Sequence, residues 1–208
     1  MNIREQIENT FDGKAFKRPL FYNYEGGLRF ELSEGGNYLN KFLTAHRKAM
    51  EACSQIFSGC EDITVCARVY GGKRLLSSLS TLRPLREAGL YPISGKEHWT
   101  EFDEEWLGDE DYSDSLWHYI AFNAPSEYII NALWCALSSD FGCINPNPMA
   151  DIYLFNLSKG VMVFPYDDRG MDIAGPNKQF LKELYDQFEQ YLLDYDKEAM
   201  DAVFGKKP

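Results

Sequence analysis

The chain has 208 residues, 45% of them hydrophobic, 25% charged and 15% aromatic; a chain of this length buries roughly 70% of its unfolded surface, and a composition so close to the globular average excludes a disordered polymer. Its formal net charge of −11 argues against non-specific nucleic-acid binding, which draws its affinity from Lys and Arg on phosphates, and against anionic membrane surfaces for the same reason. One domain over residues 1–208 is expected, with neither nucleic acid nor membrane as partner.

The opening "MNIREQIENTFDGKAF" lacks the apolar centre of an export signal, and no stretch approaches 18 uncharged apolar residues. Cys53, Cys60, Cys66, Cys135 and Cys143 form an odd set without a CxxC pair, so buried, reduced thiols in a cytoplasmic protein are the expectation. In "PLFYNYEGGLRFEL" two β-rich runs flank Glu25, Gly26 and Gly27, which predicts a hairpin or a bent strand. Leu28, Phe30 and Leu32 alternate with Arg29 and Glu31, the pattern of a half-buried strand. Past Gly35 and Gly36, the spacing of Leu39, Phe42, Leu43, His46, Ala49, Met50, Cys53, Ile56 and Phe57 predicts a long amphipathic helix. His46, on or beside its stripe, reads as a hydrogen-bonded core group.

"DITVCARVY", residues 62–70, is β-branched and bounded by glycines, hence a strand. "KRLLSSLSTLRPLREAGL" reads as a helix that Pro84 ends or kinks. Residues 91–113 read as an irregular acidic insertion carrying "EFDEEW" and "GDEDY", a solvated loop or a site for a basic partner. "DSLWHYIAF" is a strand that sets His118 on the face opposite Trp117 and Tyr119. "SEYIINALWCALSSDFG" is a helix, with Ser126 as cap, Ile129, Ile130, Leu133, Trp134 and Leu137 as its stripe, and Gly142 as its stop. "DIYLFNL" and "KGVMVFPY" pair as a late hairpin across Ser158 to Gly160. The tail from Pro176 carries Phe180, Leu181, Leu184, Tyr185, Phe188, Tyr191 and Leu192 at helical spacing, a long C-terminal helix with a break near Asp194 to Asp196. The fold class that follows is α+β, a mixed or mostly antiparallel sheet covered by amphipathic helices.

Between the hairpin and that helix stands "FPYDDRGMDIAG", which gathers Tyr166, Asp167, Asp168, Arg169, Gly170 and Asp172. Three readings stand side by side. As a turn, Asp167 accepts backbone N–H groups, Arg169 pairs with a carboxylate, and Gly170 supplies a left-handed residue. As a recognition surface, the turn presents charge to a basic protein, with Arg169 as an anchor. As a catalytic or metal site, the carboxylates of Asp167, Asp168 or Asp172 work with a distant acid or with His118. With no GxGxxG, GxxxxGK[ST], GxSxG or HExxH, and three histidines in all, neither a cofactor nor a resident metal is expected.

"PYDDRGMDI", with "DIYLFNLSKGVMVF" before it and "LKELYDQFEQYLLDYD" after it, resembles a bacterial family characterised by a Tyr-Asp-Asp-Arg-Gly motif, domain of unknown function 3885. "LFYNYEGGLRFEL" is similar to the opening of its longer members. The resemblance implies that residues 166–170 matter and transfers no reaction. By analogy of charge and size alone, small acidic bacterial proteins of this build serve as immunity partners of basic toxins. A non-catalytic, protein-binding module is therefore the leading expectation, and a hydrolase or metal-dependent enzyme the alternative.

Overall fold

The computed structural model describes residues 1–72, 75–90, 94–102 and 115–205. Its elements in chain order are helices α1 (Ile3–Thr10) and α2 (Leu20–Asn23), strand β1 (Leu28–Glu31), helix α3 (Tyr38–Ile56), strand β2 (Asp62–Gly72), helix α4 (Leu75–Glu87), strands β3 (Ser94–Phe102) and β4 (Ser115–Pro125), helix α5 (Ile129–Leu137), strands β5 (Asp151–Asn156), β6 (Val161–Asp167) and β7 (Gly170–Ala174), and helices α6 (Lys178–Gln187) and α7 (Lys197–Phe204). The strands form one sheet in the order β1-β7-β6-β5-β2-β4-β3. Every pairing among them is antiparallel, and the fold is α+β.

Strand alternation gives the sheet two unlike faces. One carries Leu28, Phe30, Ile63, Val65, Ile120, Phe122, Ile152, Leu154, Val163 and Ile173 into the main core, which α3, α5, α6 and α7 cover. The other carries Cys66, Trp99, Tyr119, Tyr153, Phe155, Met162 and Phe164, and its cover is α1 with Phe11, Ala15, Phe16 and Leu20. Arg29, Arg68, Asp151 and Asp172 share the alternation of this second face, so the polar chemistry of the sheet lies under its thinner cover.

Local signals start the helices. At α1, Asn2 and Glu5 bond reciprocally to each other's backbone N–H as a capping box. Asn37 caps α3 and Asn177 caps α6, each such cap being worth about 0.5–2 kcal/mol. Between β5 and β6, the Asn156 side chain accepts from Ser158 and from the Lys159 N–H, and Gly160 takes the left-handed conformation that closes the hairpin.

Tertiary demands override several expectations. Residues 20–23 are a helical turn and not a strand: Leu20 and Phe21 bury in the two different clusters, and the first-turn N–H of Phe21, which no helical carbonyl can take, meets the Asp172 carboxylate at 3.1 Å. Part of the stretch read as irregular, 94–102, is the edge strand β3; residues 103–112, which hold most of both acidic runs, lie outside the described residues. Leu39 and Leu43 of α3 and Ile130 of α5 are exposed, and Ala45, Ala52 and Ala132, outside the expected stripes, are buried in the main core. Ser126 does not cap α5: its N–H goes to the Glu61 carbonyl, residues 126–128 form a 3-10 turn, and the helix stops at Leu137, before Gly142. Pro84 lies inside α4, which ends three residues later at Glu87. The C-terminal helix is two helices. They part from Phe188 onward because Leu192 bridges to Phe30 and the Leu193 N–H bonds the Arg29 carbonyl, contacts that a continuous helix could not make. Of the cysteines, Cys53, Cys66 and Cys135 are buried, Cys60 is half-buried and Cys143 exposed, all as free thiols.

Candidate functional site

β6 leaves the sheet at Asp167 and β7 returns at Gly170, so Asp168 and Arg169 form a two-residue hairpin loop, with a register shift between Pro165 and Asp167. Asp167 is buried and fully used. Its Oδ1 accepts the N–H groups of Arg169 at 2.8 Å and Gly170 at 3.2 Å, and its Oδ2 accepts both Nε and Nη2 of the Arg169 guanidinium. The bonds to Asp167 raise the pKa of Arg169, whose side chain nonetheless stands 77% exposed. The Arg169 carbonyl takes the Leu32 N–H at 2.8 Å, which ties the loop to the chain leaving β1.

Gly170 is not left-handed. It is an ordinary strand residue, and glycine is required there because a Cβ would coincide with the Tyr166 hydroxyl and stand 3.1 Å from the Phe30 carbonyl. Tyr166 therefore lies across the hairpin. Burial, then the nearby Asp172 charge, pushes its phenol up to about 12.

Asp172, gathered with the motif in the sequence, belongs to a different cluster. It is 1% exposed and accepts Nε and Nη2 of Arg29 at 2.7 and 3.0 Å, besides the Phe21 N–H. Arg29 also donates through Nη1 to Asp196 at 3.0 Å, and Asp196 accepts the Tyr22 hydroxyl at 2.7 Å. The guanidinium packs against the rings of Phe21, Tyr22 and Tyr166, 5.0 to 5.6 Å from their centres. Burial works against the charge of both main partners. For Arg29 the bonds to Asp172 and Asp196 outweigh it and the pKa is raised, whereas burial is the larger influence on Asp172, whose carboxyl is pushed up despite Arg29.

A second arginine cluster lies farther along the same sheet face. Arg68 of β2 reaches Asp151 of β5 through Nε at 3.0 Å, Arg18 pairs with the same carboxylate, and Arg68 stacks over Trp117 at 4.1 Å. Sequence reasoning passed over Arg18, Arg29, Arg68, Asp151 and Asp196. The one available signal was the polar residue alternating with apolar ones, as Arg29 does between Leu28 and Phe30.

Asp168 is the motif carboxylate left over. It is half-buried and forms no hydrogen bond among the described residues; burial, then the charges of Asp167 and Asp140, pushes its carboxyl up from the usual range against the pull of Lys41. The histidines do not join the motif. His46 bonds the Ile130 carbonyl at 3.0 Å, and His118 is buried with Nδ1 3.4 Å from Nε2 of His98. Among the described residues no group of three or more His, Cys, Asp or Glu side chains is placed to hold a metal ion. Two clefts, one beneath α4 and one between α4 and α5, are lined by no motif residue.

A family model described as a domain of unknown function, DUF3885, matches residues 3–196. The chain belongs to the DUF3885 family. The match takes in α1, the whole sheet, the Tyr166–Gly170 hairpin and Asp196, so both Arg–Asp clusters fall within the DUF3885 span. No curated protein and no solved structure matches the chain. No described helix is long and apolar enough to cross a membrane.

Proposed function

We propose that this DUF3885 protein is a non-catalytic binding protein for a basic protein partner, and that neutralisation of a basic toxin, in the manner of an immunity protein, is the sharpest form of that role. The observation that carries the reading is the saturation of two of the three motif carboxylates, Asp167 and Asp172. Every lone-pair direction of Asp167 has a donor and Asp172 is closed off by Arg29 and Phe21, so neither is poised to take a proton or a metal ion. What faces outward is Arg169, on a chain of net charge −11 whose Tyr22, Tyr38 and Tyr195 are exposed. Tyr and Arg are the residue types that anchor protein interfaces, and an acidic surface steers a basic partner.

A second reading rests on Asp168, whose raised pKa and lack of hydrogen bonds among the described residues are the attributes of a general acid in a hydrolase. One set of measurements separates the two. The whole chain, wild type and an Asp168→Asn/Arg169→Gln variant of unchanged melting temperature, is used to capture host proteins; any basic protein retained is purified and titrated back at low and moderate salt, and both chains are screened for hydrolysis of ester, phosphate and glycoside substrates. The binding reading expects a basic partner whose affinity falls with salt and falls again in the variant, with no turnover. Turnover by the wild type that Asp168→Asn abolishes would replace it with the hydrolase reading.

A further inference from the structure

The cleft between α4 and α5, about 310 Å³ in volume, is walled by Glu87 and Ala88 where α4 ends, by Ile130, Asn131 and Trp134 along α5, and by Pro146 in the loop beyond. Its walls are tied to one another. The Asn131 amide nitrogen donates to the Ala88 carbonyl at 2.5 Å, while the loop is held to α5 by Ser138 Oγ on the Pro146 carbonyl at 3.3 Å and by Asn147 on the Ser138 carbonyl at 2.6 Å. Such a cleft is formed before anything enters it. Two polar groups of the lining lack partners among the described residues. Trp134 Nε1 is buried and donates to nothing, a rare condition for an indole N–H. Arg68 Nη2, the other buried side-chain atom without a hydrogen bond, has the Asp151 carboxylate 2.9 Å away, so Trp134 is the one with no counterpart at all. Asn131 uses its amide nitrogen on Ala88, and its Oδ1 accepts nothing. Asn131 and Trp134, three residues apart on α5, are neighbours on one face of the helix.

A buried donor beside a free acceptor asks for a ligand that carries one of each. The charges narrow it further. Glu87 is the ionisable side chain of the lining, so a carboxylate would stand beside a like charge, and a cation would have to share Glu87 with Arg83, which already holds it at 2.8 Å. A neutral group meets neither obstacle. An apolar cavity of roughly 150 Å³ accommodates benzene, with its six heavy atoms, so the volume here scales to about twelve heavy atoms. We propose that this cleft binds a small neutral secondary amide of that size, its carbonyl accepting from Trp134 Nε1, its N–H donating to Asn131 Oδ1, and its apolar body lying against Ile130 and Pro146. No motif residue lines the cleft, so the site does not depend on the role proposed for the hairpin.

The probe is N-benzylacetamide, titrated into the whole chain while the assigned indole N–H resonance of Trp134 is followed by NMR. That resonance is expected to move and to saturate at about millimolar probe, the strength usual for so few atoms. Benzyl acetate, which keeps the carbonyl and lacks the N–H, should bind about fivefold more weakly, and N-ethylbenzylamine and 3-phenylpropanoate, which carry a charge in place of the neutral amide, should leave the resonance where it is. Ile130→Glu, at an exposed position, should keep the melting temperature and weaken N-benzylacetamide about fivefold by removing an apolar wall. N-acetyl-phenylalanine methylamide sets a similar body within a peptide: tighter binding than N-benzylacetamide assigns the amide to a peptide segment, weaker binding to a free small molecule, and both sustain the site. A Trp134 resonance that stays in place up to about 10 mM N-benzylacetamide overturns the proposal. So does an amide that binds no better than benzyl acetate or than the charged probes, which would leave a cleft without amide recognition, and so does an unchanged affinity in Ile130→Glu, which would put the probe elsewhere.

Discussion

The protein contains two Asp–Arg pairs within a few residues of each other, and they are built to opposite specifications. Asp167 and Arg169 are neighbours in sequence, share one hairpin loop, and keep the arginine 77% exposed. Asp172 and Arg29 lie 143 positions apart, and the arginine is only 13% exposed, with a second carboxylate, Asp196, on its free nitrogen. In the first pair water competes for the charges and the geometry is nearly pre-set by the turn, so little is gained and little is at risk. In the second the charges have left water, and the partners are held by desolvation as much as by attraction. Removing one of them strands the others. The same two side-chain types thus close a surface loop in one place and tie three distant segments in the other.

The comparison breaks most readily at Arg29. Arg29→Met keeps the length of the side chain and leaves Asp172 and Asp196 buried without a cation, so we expect a loss of about 3–5 kcal/mol in denaturant unfolding, shrinking as the pH falls and the Asp172 carboxyl, already pushed up by burial, takes up a proton. Gly170→Ala follows. Its Cβ must displace the Tyr166 ring or the Phe30 carbonyl, a steric conflict of about 1–3 kcal/mol, and a Tyr166→Ala background should remove most of the increment because it removes the obstructing ring. A left-handed backbone would instead leave the increment unchanged in that background, so this double-mutant cycle distinguishes the two accounts of the glycine.

Smaller effects sharpen the contrast at the loop. Arg169→Ala should cost no more than about 1 kcal/mol, because Asp167 keeps its two backbone N–H donors. A loss as large as that of Arg29→Met would show that the two pairs are not different in kind. Asp168→Asn should be neutral or stabilising by up to about 0.5 kcal/mol. The sign follows from the raised carboxyl: a group whose folded pKa lies above its unfolded value favours the protonated folded state, so its ionisation costs stability as pH rises through the folded pKa. The variant's advantage should therefore be present at pH 7 and vanish below the unfolded pKa of about 3.9.

The parts of the fold that the sequence announced are those where local pattern and burial agree. β1, β2, β4 and the β5–β6 hairpin lie where alternation or β-branched runs placed them, and the Asn156-to-Gly160 turn is read from its residues. β3 was missed because "SGKEHWTEF" has no alternating apolar set: it is an edge strand whose Glu97 and Glu101 receive Arg4 from α1, an interaction with no counterpart in the local pattern. α2 was misread because its aromatic residues favour a strand, and only the Asp172 carboxylate, 151 positions away from Phe21, gives its free N–H a partner. The motif shows the same division. The bonds from Asp167 to Arg169 and to the Gly170 N–H span two or three residues and were foreseen, whereas Asp172 could not be assigned a partner before β1 was known to lie beside β7.

β1 also has consequences in time. Its four residues have β7 on one side and the Leu192–Leu193 backbone on the other, and its arginine waits for carboxylates at positions 172 and 196. On a ribosome, which delivers the chain from its N-terminus at roughly 5–20 residues per second, this strand emerges well before its partners. Until then the two backbone edges of β1 have no strand or bridge partner, and the Arg29 charge has neither Asp172 nor Asp196 to meet. The β2–β4 and β5–β6 pairings can form during synthesis, but the margin that carries both Arg–Asp pairs is sealed only once residue 196 is free, which makes a nascent chain without its last helices the species a chaperone would be expected to hold.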